Sequence, residues 1–361
     1  MALAAALLAC AAAPPGPTVF VTDDGERVPR DAGPRPRAAS PVWSPGQPVR
    51  LFGLPGEVLA LQVGVSAQAT PLRGVTARLR GLPEGARVES LVVLDLPLRR
   101  RSGGRTPGES LGWSRGAMPR TYPPDPTVTS VPDPLIPSAL APPDADYPMT
   151  VAAHEHRLLW LDLALPAAPG HHRATLELAS TEGPLATLPV LLEIGGTPLP
   201  YAAAPALVFY DPDEIIGRIG DPAAVPRALQ LLHAHHVQPV YRLNSAADVA
   251  DQAAALRGDL YTAAAGYDGP GPGVGAAVVF LGTYGSLGDP GPAALARVRE
   301  VSAALAQAGL AQTPAPQRYL YAVDEDCASP RAAAWRDLLR QDPALADILV
   351  AQTCSLPPAQ Q

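Results

Sequence analysis

Lysine is absent from the sequence, so all 27 basic residues are arginine, against 34 Asp and Glu residues. The formal net charge of −7 argues against a general nucleic-acid-binding protein, which needs a basic surface. The dense basic cluster of Arg99, Arg100, Arg101 and Arg105 lies among Gly, Ser and Pro. We interpret it as a solvated loop and not as a polyanion site. No apolar run approaches the roughly 20 residues that a membrane-spanning helix needs.

Cysteine is also scarce, with three residues in the whole chain. No CxxC pair and no zinc-type spacing occur, so we predict neither a bound metal nor a cofactor. The segment Leu7-Leu8-Ala9-Cys10 follows an apolar start and resembles a bacterial lipobox, in which the cysteine is lipidated. This implies an exported protein of the cell envelope, held at the membrane by a lipid anchor alone; the alternative is an unrelated Ala-rich leader.

Export changes the interpretation of the two remaining cysteines. In an oxidising compartment Cys327 and Cys354 are a plausible disulfide pair. Both follow predicted strands of the same sheet, which would bring them close together. The alternative is two buried free thiols.

What the chain does contain is enough apolar sequence for two packed domains, with 47% hydrophobic residues in 361. Residues 1–13 are the leader, and 14–50 are a Pro/Gly/Arg-rich tether and lead-in, in which Thr18–Val21 is a possible edge strand. Short alternating strands between Gly/Pro turns predict a β-sandwich over 51–200. The density of Pro, Gly and Ser over 97–148 predicts a long irregular insertion there.

The pattern changes to strand followed by helix in the last segment, 201–361. The predicted strands are 206–210, 238–242, 276–282, 318–323 and 348–352, with helices at 222–236, 291–308 and 330–340. Repeated units of this kind predict a parallel sheet, and a (β/α)8-type barrel is its natural form. The 158 residues from 204 to 361 fall short of the about 250 of a complete barrel, so we expect a partial barrel, truncated after about five strands.

The acidic triplet Asp324-Glu325-Asp326 directly follows the fourth of these strands. Ser329 and Pro330 then predict an N-cap and a first helical residue, so the carboxylates lie on a strand-to-helix loop. Catalytic groups of barrels gather at this rim, and adjacent carboxylates there favour general acid chemistry. Two alternatives stay open: a solvated acidic loop favoured by the helix dipole, and a cation site.

Other polar residues follow the remaining strands and are candidates for substrate binding: Asp211, Arg242, Asn244 and Tyr284, with Asp326 as an additional carboxylate. Asp326 has a second interpretation, as a cap of the following helix. Aromatic residues that could stack on a sugar are few, since they make up 5% of the chain. Tyr267, Tyr284 and Trp335 are the nearest candidates, and Trp335 fits a helix core better.

The layout resembles glycoside hydrolase family 123 and its relatives, which have a β-sandwich followed by a (β/α)8 barrel. The matching stretches are Gly56–Val65, Pro132–Pro137, Leu159–Asp162 with Leu165-Pro166, Leu231–Pro239 and Tyr321–Glu325. The resemblance implies hydrolysis of N-acetylhexosaminides with retention, in which the substrate's own acetamido group is the nucleophile. Glu325 would protonate the leaving oxygen, and Asp324 would hold the acetamido nitrogen. The ionised Asp324 is expected to raise the pKa of Glu325 and keep it protonated.

The competing hypothesis is a non-catalytic surface lipoprotein that binds glycan or serves as a scaffold, with a degenerate or truncated glycosidase barrel. Both hypotheses take a glycan or amino-sugar oligosaccharide as the partner. The hydrolase hypothesis requires Glu325 for release of a product, whereas the binding hypothesis predicts saturable glycan binding that involves no product release and survives Glu325→Gln.

Overall fold

The protein has a multi-domain, β-rich fold with several sheets. The computed structural model describes residues 16–26, 28–30, 40–97, 129–142, 145–201, 206–209, 212–310, 316–326 and 328–353. These residues form two compact units, one ending at Leu199 and one beginning at Pro200.

The first unit contains two five-stranded sheets. Its strands are β1 (Thr18–Asp23), β2 (Val49–Gly53), β3 (Val58–Ser66), β4 (Leu72–Arg80), β5 (Arg87–Pro97), β6 (Ser130–Pro137), β7 (Met149–Val151), β8 (His156–Ala164), β9 (Gly170–Ser180) and β10 (Gly183–Ile194). One sheet has the order β1-β3-β8-β5-β6 and is antiparallel throughout. The other has the order β2-β10-β9-β4-β7, in which only β2 and β10 run parallel.

The two sheets share one apolar core. Val63 and Leu161 of the first sheet and Leu176 and Leu192 of the second belong to the same buried cluster. Along β3, for example, the alternate residues Leu61, Val63 and Val65 belong to this core, as the period of two in the sequence predicted. Full burial of each large side chain stabilises the fold by about 1.5–3 kcal/mol, so this core is the main source of the unit's stability.

The predicted irregular segment 97–148 contains a strand, which corrects that part of the sequence interpretation. β6 pairs antiparallel with β5 and includes Pro132, Pro134 and Pro137. Proline cannot donate to a β-ladder, but β6 lies at the end of its sheet, where one side needs no partner. The predicted edge strand at 18–21 is confirmed as β1, at the opposite end of the same sheet.

Gly64 lies opposite Phe20 in the pairing of β1 with β3, and the phenyl ring covers it. A Cβ atom on residue 64 would lie 2.0 Å from Cζ of Phe20, whose side chain is buried. We therefore expect Gly64→Ala to lower the free energy of unfolding by about 1–3 kcal/mol, measured by urea denaturation. Gly196→Ala is the control, since nothing lies within 4 Å of its added Cβ. Equal stability of the two variants would contradict this packing.

The second unit is built on parallel strands connected by helices. Its strands are β11 (Ala206–Val208), β12 (Val237–Pro239), β13 (Arg242–Leu243), β14 (Val278–Leu281), β15 (Gln317–Asp324) and β16 (Leu349–Thr353). Its helices are α1 (Pro212–Ile219), α2 (Val225–Ala234), α3 (Ala246–Arg257), α4 (Pro292–Gln307) and α5 (Arg331–Leu339). β11 pairs with β12, and β13-β14-β15-β16 form a four-stranded parallel sheet.

Five predicted strand positions correspond to strands of this unit, but the second is divided. Residues 237–239 pair with β11 and residues 242–243 pair with β14, so one extended segment serves both sheets. The backbone N–H of Val240 continues the first ladder by donating to the carbonyl of Val208. The predicted helices at 291–308 and 330–340 are α4 and α5, and that at 222–236 is a 3-10 turn followed by α2.

The two faces of the parallel sheet have different neighbours. On the helix-side face, Leu281 and Leu320 pack in one large core with Val298 and Trp335 of the helices. The opposite face, called here the inner face, carries a separate small cluster that includes Val240, Phe280 and Tyr321. Trp335 is 0% exposed, which confirms its assignment to the helix core.

Candidate active site at the carboxyl edge of the parallel sheet

The carboxyl ends of β13, β14, β15 and β16 meet at one edge because the four strands run parallel. We call this edge, made of residues 244, 282–288, 324–326 and 353, the carboxyl edge. The sequence candidates at or next to it are Arg242, Asn244, Tyr284, Asp324, Glu325 and Asp326. Asp211 lies outside the described residues.

Asp324 is the last residue of β15, and its carboxylate is held by two hydroxyl groups. Oδ1 accepts a hydrogen bond of 2.7 Å from the Tyr321 hydroxyl and one of 2.9 Å from the Thr353 hydroxyl. The Tyr321 and Thr353 oxygens are themselves 2.6 Å apart. Two donors on one carboxylate oxygen fix the orientation of the group. Sequence analysis missed both donors, although Thr353 directly follows the predicted fifth strand.

The Tyr321 hydroxyl stays protonated over the physiological pH range. The pKa of Tyr321 is raised to about 12, mainly by burial; the hydrogen bond with Thr353 opposes this shift, and the neighbouring Asp324 carboxylate supports it. A phenol with this pKa keeps its proton at neutral pH. The Tyr321 hydroxyl is therefore available there as a hydrogen-bond donor to Asp324.

Glu325 is exposed and has an unusual backbone. Its φ of +53° lies in the left-handed region, which residues other than glycine rarely adopt. Its N–H donates to the carbonyl of Thr353 at 3.1 Å, which helps to hold this conformation. Tyr284, on the neighbouring loop, also has a positive φ of +50°. Two of the five described non-glycine residues with positive φ therefore lie at the carboxyl edge, and strained conformations of this kind tend to cluster at functional sites.

The loop 282–288 presents Tyr284 beside the acidic residues. Ser286 Oγ donates to Asn244 Oδ1 at 2.7 Å, and the N–H of Gly285 donates to the carbonyl of Tyr321 at 3.1 Å. Gly285 has a φ of +72°, and a Cβ there would lie 3.1 Å from the carbonyl oxygen of Ala322. The loop is thus tied to the strands on both sides. The Tyr284 side chain remains 50% exposed and is accessible to a ligand.

Aromatic side chains gather on the inner face next to this edge. The inner-face aromatic cluster consists of Phe209, Phe280, Tyr284, Tyr319 and Tyr321. The Tyr284 ring lies 5.2 Å from that of Tyr321 and 6.2 Å from that of Phe209. Although aromatic residues make up only 5% of the chain, folding brings the members of this cluster together on one face.

Two of the three predicted stacking candidates lie elsewhere. Tyr267 is buried in the helix-side core against His233, with its hydroxyl 2.7 Å from Nδ1. Trp335 is enclosed by the same core. Tyr284 alone of the three belongs to the inner-face aromatic cluster.

Asp326 has a local role in the loop after Glu325. Its Oδ1 accepts the N–H of Ala328 at 3.1 Å, and α5 does not begin until Arg331. The interpretation of Asp326 as a cap of this helix is therefore wrong. The predicted start is also displaced by one residue: Pro330 precedes the helix, and Ser329 Oγ accepts the Arg331 N–H at 3.3 Å.

Several sequence predictions fall outside the residues that the structure describes. Cys10, Cys327 and Cys354 are all in this group, so the lipid anchor and the disulfide stay predictions. Across the described ranges, no group of three His, Cys, Asp or Glu side chains is arranged to hold a metal ion. Within the same ranges, no helix combines the length and apolar character needed to cross a membrane.

His233 is a second titratable feature of this unit, away from the carboxyl edge. Its ring stacks on Tyr261 at 3.7 Å between centroids, and Nε2 lies 3.0 Å from the Val274 carbonyl. The pKa of His233 is lowered to about 4, mainly by burial; the contact with Val274 opposes this shift, and His236 contributes a smaller lowering effect. The neutral ring is thus favoured in the folded protein.

Protonation of His233 should make stability depend on pH. Above pH 6.5 both the folded and unfolded forms are neutral, so His233 has no effect. As the pH falls from 6.5 to 4, the unfolded chain gains a proton that the folded protein excludes, at a cost of about 2–3 kcal/mol. We expect urea denaturation to show this loss in the wild type and a flatter pH dependence in His233→Gln. If the stability of the two proteins falls equally with pH, the lowered pKa of His233 is contradicted.

Comparisons with known proteins give matches among solved structures alone. No family model and no curated protein matches the chain. A family 123 glycoside hydrolase from Clostridium perfringens, which acts on glycolipid glycans, is similar with 10% identity and a TM-score of 0.49 over 94% of this chain. The chain spans 64% of the length of that enzyme.

Two further structures are more distant. A GH5 xyloglucanase from Bacteroides ovatus has 8% identity and a TM-score of 0.18 over 83% of this chain and 52% of its own. The C-terminal domain of an antigen I/II-family protein from Streptococcus pyogenes has 9% identity and a TM-score of 0.22 over 49% of this chain and 46% of its own. All three TM-scores lie below 0.5, too low to assign a fold family or an activity.

Proposed function

We propose that the protein is a glycoside hydrolase that cleaves N-acetylhexosaminides with retention, using the acetamido group of the substrate. The observation that carries this proposal is the Asp324-Glu325 pair at the carboxyl edge. Asp324 is fixed by two hydroxyl donors, while Glu325 is exposed beside it. In fold terms, the first unit is a β-sandwich and the second a partial (β/α) barrel.

The two carboxyl groups divide the chemistry between them. The acetamido oxygen of the substrate attacks the anomeric carbon as the bond to the leaving oxygen breaks, and Glu325 donates its proton to that oxygen. Asp324 accepts a hydrogen bond from the acetamido N–H and stabilises the positive charge that develops there. Glu325 then removes a proton from the water that opens the cyclic intermediate, which restores both groups.

Residues around the pair bind the sugar in this proposal. The half-exposed Tyr284 ring offers an apolar face to the C–H groups of a pyranose. Arg242 of β13 and Asn244, which directly follows this strand, supply polar contacts to hydroxyl groups, and Asp326 adds a carboxylate. Asp211, which lies outside the described residues, stays a sequence-based candidate for substrate binding. The partner is an amino-sugar oligosaccharide.

The proposed cellular location of the protein rests on the lipobox-like segment at Cys10. We propose export and lipidation at Cys10, with the protein on the periplasmic or outer face of the cell envelope. A disulfide between Cys327 and Cys354 fits that compartment. Support comes from the sequence neighbours of the two cysteines. Asp324, three residues before Cys327, pairs with Thr353, the residue directly before Cys354.

A non-catalytic glycan-binding protein is the second candidate. The observation that favours it is the exposed Tyr284 ring beside the inner-face aromatic cluster, because stacking on a sugar needs no acid catalyst. This candidate predicts saturable glycan binding without release of a product.

A comparison of two substrates tests the proposed mechanism. Aryl N-acetylhexosaminides should be hydrolysed, whereas matched aryl hexosides with a 2-hydroxyl group should not, because they lack the internal nucleophile. Equal turnover of both would exclude substrate assistance. Saturable binding of the N-acetyl compound by a cooperatively folded chain without turnover would favour the binding protein.

A further inference from the structure

An irregularity in β15 determines which way Asp324 faces. In a regular strand the side chains alternate, so Tyr319, Tyr321 and residue 323 would share the inner face and residue 324 would face the helices. The pairing with β16 instead shifts by one residue: Tyr321 pairs with Ala351, but Val323 pairs with Gln352. One extra residue of β15 therefore lies between these pairs, which is a β-bulge.

The burial pattern confirms the change of phase. Ala322 and Val323 are consecutive, yet both pack in the helix-side core. Tyr321 belongs to the inner face, and Asp324 is directed back to it, within 2.7 Å of the Tyr321 hydroxyl. Bulges commonly redirect a side chain next to an active site.

We infer that the bulge at Ala322-Val323, together with Tyr321 and Thr353, forms a positioning device that holds the Asp324 carboxylate over the inner face. Thr353 holds both acidic residues, since its hydroxyl donates to Asp324 and its backbone carbonyl accepts the N–H of Glu325. The catalytic role of Asp324 rests on the proposed function, whereas the positioning itself does not. Neither Tyr321 nor Thr353 needs to touch the substrate.

Kinetic analysis of Thr353 variants tests the positioning role. Thr353→Val keeps the shape of the side chain and removes the hydroxyl, so kcat should fall about 10- to 100-fold while KM changes less than about twofold. Thr353→Ser restores the hydroxyl and should recover most of the kcat. Thr187→Val, on the exposed surface of β10, is the control for a Thr-to-Val change in a strand and should behave as wild type. An unchanged kcat in Thr353→Val, with turnover that depends on Glu325, would overturn the inference.

A double-mutant cycle tests the same contact without requiring activity. The urea midpoint should fall in Tyr321→Phe, and the shift should be at least halved when the change is made in an Asp324→Ala background, because the partner is already absent. An equal shift in both backgrounds would contradict the contact. Coupling without turnover on any N-acetylhexosaminide would retain the positioning device and reject the proposed hydrolase.

Discussion

Glu325→Gln should reduce kcat on an N-acetylhexosamine oligosaccharide by about 10³- to 10⁴-fold. The amide is nearly the same size as the carboxylic acid but cannot donate an acidic proton, so the leaving oxygen would depart as an alkoxide. The loss should depend on the leaving group. With a dinitrophenyl glycoside, whose leaving phenolate needs little protonation, the same variant should lose less than about tenfold.

Glu177→Gln is the matched control for this variant. It makes the same chemical change in the first unit, where the Glu177 side chain is exposed on β9 and lies 3.6 Å from Arg80. We expect Glu177→Gln to keep kcat close to the wild-type value, since an exposed ion pair of this kind contributes little to stability. Equal losses in Glu325→Gln and Glu177→Gln, or a loss that does not depend on the leaving group, would argue against Glu325 as the acid.

Trp335→Ala should lower the free energy of unfolding by about 3–5 kcal/mol. The indole is fully buried in the helix-side core, so its removal leaves a large cavity between α5 and the parallel sheet. It also removes the hydrogen bond of 3.1 Å from Nε1 to the Gly288 carbonyl. Gly288 ends the loop that carries Tyr284, so the substitution should loosen the carboxyl edge as well as the core.

Comparison with Trp335→Phe separates these two effects. Phenylalanine retains most of the apolar volume but has no donor for Gly288, so we expect about half of the loss seen in Trp335→Ala. Urea denaturation at pH 7 measures both variants. A cost below about 1 kcal/mol for Trp335→Ala would show that the helix-side core is not packed as described.

The strands of the second unit could be predicted because each is a short apolar run bounded by turn residues or polar loops. Parallel pairing then places the residues after each run at one edge, which is why Asn244, Tyr284 and Asp324 were identified together. Helix α3 was missed because its Ala-rich sequence has little amphipathic periodicity, although Ser245 and Asp248 form a capping box at its start. The three-residue spacing of Ser245 and Asp248 could therefore have predicted the start of α3 from the sequence.

The contacts that define the site could not be predicted from local pattern. The bulge in β15 reverses the alternation that sequence analysis relies on, and its cause lies in the pairing with β16. The inner-face aromatic cluster unites residues separated by more than 100 positions, from Phe209 to Tyr321. The strand β6 was excluded by its prolines, since its position at a sheet edge was unknown. In each case a non-local partner decides the outcome.

Release of product from an amino-sugar oligosaccharide tests most directly whether the carboxyl edge is a catalytic site. The wild type and Glu325→Gln should be incubated with the same N-acetylhexosamine oligosaccharide, with binding and new reducing ends measured in the same samples. We predict binding by both proteins and product from the wild type alone. Binding by both with product from neither would contradict the hydrolase and leave a glycan-binding protein.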